Sequence, residues 1–152
     1  MASRSKQCTL MTFVILAFAA SSASATPSVT STGTSGATDL DLGGLGTPGT
    51  YIAKVADVTL STDAAGGFNA TVIADALGKA GGAPIAIQVV LVADGAGTPG
   101  ASAFTSAAGA AFTLATGSAG TVEKDLYIRY AAATFQDPGL YSAVVHVEVL
   151  DN

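Results

Sequence analysis

His146 and Glu148 stand two residues apart in the alternating run Val145-His146-Val147-Glu148-Val149, which sets both on one face of a strand. An imidazole and a carboxylate are metal-ligand types, but a zinc site takes three or four protein ligands. His146 is the only histidine of the chain and Cys8 its only cysteine. The pair therefore reads as strand surface. Serines are plentiful, yet no Gly-x-Ser-x-Gly elbow occurs, and the single histidine lies inside a strand pattern rather than in a loop. Asp39 with Asp41, and Asp94 in its glycine-rich turn, offer the hard oxygens that calcium takes. Neither has the spacing of a calcium loop, so both read as solvated turn aspartates. Tyr127, Tyr130 and Tyr141 have the side chain of a sugar-stacking platform, but Tyr130 and Tyr141 fall on the face expected to be core. The residues that could do chemistry thus predict no enzyme, no catalytic set, no cofactor and no metal.

The elements that carry these residues read as short strands. Asp39 to Leu42 alternates, with Leu40 and Leu42 on one face, ahead of the turn Gly46-Thr47-Pro48-Gly49. From Tyr51 the alternation Tyr51, Ala53, Val55 changes phase to Val58 and Leu60, which calls for one extra residue near Ala56: a β-bulge, or two short strands. Phe68, Ala70, Val72 and Ala74 share a face opposite Asn69, Thr71 and Asp75. Ile85 to Val92 is apolar on both faces and reads as a central or covered strand. The alanine-rich stretch with Phe104, Phe112 and Leu114 predicts one or two short strands, and Thr121 to Tyr130 alternates with Val122, Leu126, Ile128 and Tyr130 inward. Six to eight strands separated by glycine turns predict an all-β, antiparallel sandwich.

Met1 to Ala25 carries Arg4 and Lys6, an apolar run from Leu10 to Ala20 and then Ala23-Ser24-Ala25, the pattern of a secretory signal peptide. The run is shorter than the roughly 20 apolar residues that span a bilayer, so contact with a membrane is expected only during export. Cleavage after Ala25 would leave a secreted protein, extracellular or at the cell surface, without a cysteine to form a disulfide. Its four basic residues, Lys54, Lys79, Lys124 and Arg129, face eleven acidic ones, a net charge of −7, which disfavours nucleic acid as a partner. Only 11% of the whole chain is charged and 49% is apolar, so its surface must be largely Ala, Gly, Ser and Thr. Such a surface suits a coat or fibre. Residues 26–38 form a Ser/Thr/Gly-rich extension with little beyond Val29 and Ala37 to bury, expected to be extended or disordered unless bound. Residues 39–152 are the expected sandwich domain.

The ending Asp137-Pro138-Gly139-Leu140-Tyr141-Ser142-Ala143-Val144-Val145-His146-Val147-Glu148-Val149 reads as a turn and a long final strand. With the signal peptide and the Ser/Thr-rich extension, it resembles the spore coat U and archaic chaperone-usher pilin group. The resemblance covers the chain specifically from Asp137 onward and departs from the group in lacking a disulfide. It implies an immunoglobulin-like fold that lacks its last strand and is completed by the N-terminal extension of another copy. The donor residues would be Val29, Ala37, Leu40 and Leu42, and the acceptor edge Ala143, Val145, Val147 and Val149. Asp137, Gly139 and Tyr141 would form a tyrosine corner, with the ring buried and the hydroxyl bonded to nearby backbone. The expected function is a secreted structural subunit of a surface fibre or extracellular matrix, with other copies of itself as partners. The alternative is a monomeric carbohydrate-binding or adhesive module.

Overall fold

A computed structural model describes residues 26–41, 48–133 and 140–152; the expected signal peptide lies outside them. Seven strands run in chain order: β1 (Ser28–Gly33), β2 (Gly49–Thr62), β3 (Phe68–Ala74), β4 (Ile87–Ala93), β5 (Phe112–Ala115), β6 (Gly120–Ala132) and β7 (Val145–Asp151). They form two antiparallel sheets, ordered β1-β2-β6-β4 and β5-β3-β7. The all-β sandwich read from the turn spacing is the fold of this chain. Among the described residues no helix is long and apolar enough to cross a membrane.

The core lies between the sheets because alternate residues of each strand are apolar. Phe68, Ala70, Val72 and Ala74 of β3 face Val58, Leu60, Leu126, Ile128 and Tyr130 of β2 and β6, and all of these are buried. The phase change in β2 is a bulge: Lys54 opposes Tyr127 and Ala56 opposes Leu126, which leaves Val55 as the extra residue. That one-residue insertion keeps Tyr51 and Ala53 on the same face as Val58 and Leu60. The turn between β2 and β3 needs glycine at Gly67, where φ is +80° and a Cβ would collide with the backbone of Thr116.

Two elements decide between alternatives that the sequence left open. Residues 85–92, read as central or covered, are covered: β4 ends the first sheet, and its second apolar face lies under the connection that follows it. Val90 packs there with Tyr127 of β6 and with Phe104, which sits just beyond the 3-10 turn Ala101–Ala103. Periodicity reports that both faces are covered but not by what. The Ser/Thr/Gly-rich segment, expected to be extended or disordered unless bound, is extended: Ser28–Gly33 pairs along its length with residues 56–61 of β2, and Val29 faces the core. Backbone pairing, which composition does not register, holds this segment. The 3-10 turn Ser35–Ala37 then leads to Leu40, which also packs against the core.

Candidate functional site

The two ends of the sandwich differ in how they are finished, and the less finished one gathers most of the residues singled out in the sequence. β1 and β7 lie on the same side, one in each sheet, and approach one another across the sandwich. Each ends its sheet. β7 alternates Val145, Val147 and Val149 toward the core with His146, Glu148 and Leu150 outward. Its neighbours on β3 measure how incomplete that side is. Ala74, Val72 and Ala70 oppose Val145, Val147 and Val149, and the β3 residues are 0–4% exposed. The three valines remain half-buried, since beyond β7 no further strand among the described residues covers them. Ala143 and Tyr141 extend the same row and are half-buried against the core as well.

Of the expected donor residues, Val29 and Leu40 pack into the core of their own chain, Ala37 is exposed in its 3-10 turn, and Leu42 lies outside the described residues. Donor and acceptor residues are therefore brought to one core within one copy. Of the expected tyrosine corner, Asp137 and Gly139 lie outside the described residues. Tyr141 stands beside the turn at Gly82, with the Lys79 ammonium 5.9 Å from its ring centre. Tyr130 also ties its strand to a connection: its hydroxyl donates to the Asp41 carbonyl at 2.8 Å. Burial, with the Asp41 carboxylate and Tyr51 nearby, pushes its hydroxyl up to about 12. Tyr51 stacks on it at 5.6 Å. Sequence reasoning set Tyr130 on the core face; its partner lies 89 positions earlier, beyond the reach of periodicity.

His146 and Glu148 share the outer face of β7. The Asp75 carboxylate lies 4.0 Å from the imidazole, and both side chains are largely exposed. Asp94, by contrast, joins a cluster that sequence spacing did not reveal. Carboxylate oxygens of Asp57, Asp94 and Asp125 fall within 4.8 Å of one another on the outer face of the first sheet. The Lys54 ammonium lies 2.6 Å from Asp57 and 2.6 Å from Asp125, so the protein supplies its own cation there. Asp125 is almost completely covered, and its second oxygen accepts the Gly95 N–H at 3.1 Å. The hydrogen-bonded ammonium holds the Asp125 carboxyl below its ordinary value, against the desolvation that would raise it. Reciprocally, Asp125 and then Asp57 raise the Lys54 amine above its own. Beside them is an open depression of about 200 Å³ lined by Asp57, Val58, Thr59, Asp94, Glu123 and Lys124. Four acidic or basic groups around so open a depression give a solvated polar surface; the ion pairs join β2 to β6, and the Gly95 N–H bond to Asp125 ties the loop after β4 to the sheet.

No family model matches this chain, and neither a curated protein nor a solved structure matches it.

Proposed function

We propose that this protein is a secreted structural subunit of a surface fibre or extracellular matrix, and that its copies associate by β-strand addition at the outer edge of β7. The observation that carries the reading is the contrast along one ladder: half-buried Val145, Val147 and Val149 beside fully covered Ala74, Val72 and Ala70. An added strand would pair its backbone with β7 and bring alternate side chains over that row. The added residues would come from Thr26 to Leu42 of another copy, a segment that already offers Val29 and Leu40 to a core of this shape. Natural edge strands are commonly guarded by Lys, Pro, a bulge or an inward charge. β7 carries neither Lys nor Pro and pairs with β3 without a register shift; its inward positions are Val145, Val147 and Val149, with Asp151 at its end, where the carboxylate accepts the Thr62 hydroxyl. Tyr127 and Tyr130 are buried and offer a sugar no ring face to stack on, which weighs against the monomeric glycan-binding alternative.

Val147→Lys tests the reading. In the separate copy a lysine there can reach solvent along the open side, so the fold should persist by far-ultraviolet circular dichroism. In an assembly the same charge would be enclosed, and sedimentation and electron microscopy should show association abolished. Association undiminished in a folded Val147→Lys protein would reject β7 as the joining edge.

A further inference from the structure

The open side presents two edges, and their directions are fixed by the ends of the strands. Thr26 donates its N–H to Asp63 at 2.7 Å, Ser28 opposes Ser61, and Thr62 bonds Asp151, so β1 begins at the end of the sandwich where β7 finishes. The two edges therefore run antiparallel, one in each sheet, on the same side. β1 resembles β7 in lacking Lys, Pro and a bulge: Ser28–Gly33 contains no charge and no proline, and its pairing with β2 has no register shift. The opposite side of the molecule is finished differently, because the connection from β4 to β5 crosses it and donates the Gly109 N–H to the Ile87 carbonyl at 3.0 Å.

We infer that a second copy of this chain docks on the open side by a two-fold rotation about an axis parallel to the strands, pairing β1 of each copy with β7 of the other. The inference rests on the proposed strand addition at β7 and names its geometry. Such a rotation exchanges the two layers, so β1 of the second copy meets β7 of the first, antiparallel, while the reciprocal pair forms in the other layer. The four strands of one sheet and the three strands of its neighbour's other sheet then become a continuous seven-stranded sheet, twice over. Each Val29 comes beside the row Val145, Val147 and Val149 of the other copy, and the two cores join across the seam. Neither β1 has to leave β2. Because the contact is the same patch on both partners, it closes at two copies. Growth into a fibre would then require β1 to leave its own β2 and pass to the next copy.

Thr30 and Glu148 are exposed near the middles of β1 and β7 and alternate with their inward residues, so a thiol at either should leave the fold intact. In a Cys8→Ser background, Thr30→Cys and Glu148→Cys are made singly and together, checked by circular dichroism, and treated with a short bismaleimide. Reciprocal pairing predicts that the double variant cross-links to a covalent dimer and no further, that neither single variant cross-links, and that the unmodified protein sediments at twice its monomer mass. A ladder of higher covalent species from the double variant would overturn the two-fold arrangement while leaving strand addition at β7 standing. Cross-linking of either single variant would overturn it too, by showing that like edges meet. A protein that stays monomeric at every concentration and gives no cross-link would overturn both this inference and the proposed function.

Discussion

The two flanks of the sandwich are built from similar strands and finished in opposite ways. On the flank of β4 and β5, the connecting segment folds back so that Phe104 lies with Val90 and Tyr127, each 4–6% exposed. Gln88 holds that segment through the carbonyl of Ser106 at 2.6 Å and takes the Arg129 guanidinium on its amide oxygen at 2.6 Å. On the flank of β1 and β7 the inward residues are of the same kind, but no further strand among the described residues lies beyond the last ones. A hydrophobic row covered by its own chain contributes to folding. A similar row left half-covered contributes less to folding and keeps part of its driving force for association.

Truncation on each flank should separate these two uses. Phe104→Ala on the closed flank removes a buried aromatic ring that clamps a connection, and it should cost about 3 to 5 kcal/mol, the range for large aromatic truncations. Val147→Ala on the open flank removes two methyl groups that are only half-covered, and in the separate copy it should cost no more than about 1 kcal/mol. Urea unfolding at low protein concentration checks both. If Val147→Ala cost as much as Phe104→Ala under those conditions, the open flank would already be covered and the comparison would fail.

How far the sequence discloses this contrast depends on what is local. The alternation of Phe68 to Ala74 and of Val145 to Val149 is visible in neighbouring letters, and so is the phase change at Ala56, because period two is a property of one strand. Which strand stands next to which is not local. That β4 ends a sheet, that Phe104 covers it, and that the polar run Ser28–Gly33 is held by backbone bonds to β2 all depend on partners far away in sequence. The ion pairs of Lys54 were hidden for the same reason: Asp57 is close in the chain, but Asp125 arrives only through the pairing of β2 with β6. The Asp41 carbonyl that accepts the Tyr130 hydroxyl is a distant partner of the same kind.

A third change probes how the loop after β4 is tied down. Asp125 is held below its ordinary value, so its stabilising contribution is present above that value, near pH 3.8, and is lost as pH falls below it toward the folded-state value. Lys54→Met removes the ammonium and leaves Asp125 covered without its cation, so the carboxyl should rise and the loss of stability on acidification should begin at a higher pH. Because Gly95 donates to the same carboxylate, amide exchange in residues 94–100 should quicken in this variant and that of β7 should not. Unchanged exchange at Gly95 would mean that the loop is held by Phe104 and Gln88 alone.

The smallest expected effect lies where the segment after β1 meets the core. Tyr130→Phe deletes the hydroxyl that donates to Asp41 and keeps the ring stacked on Tyr51, so it should cost about 1 kcal/mol near neutral pH, the usual net value of one hydrogen bond. Its signature is in the pH dependence. The folded hydroxyl titrates at about 12 against an ordinary value of 10.0, so the unfolded chain ionises first and wild-type stability should fall as pH rises from 10 toward 12. A phenylalanine cannot ionise, so the variant should lose less over that interval, and the two stabilities should converge as pH rises. Parallel alkaline decline in both proteins would mean that Tyr130 titrates as an ordinary tyrosine, and that the connection carrying Asp41 and Leu40 stands away from the core on the open flank.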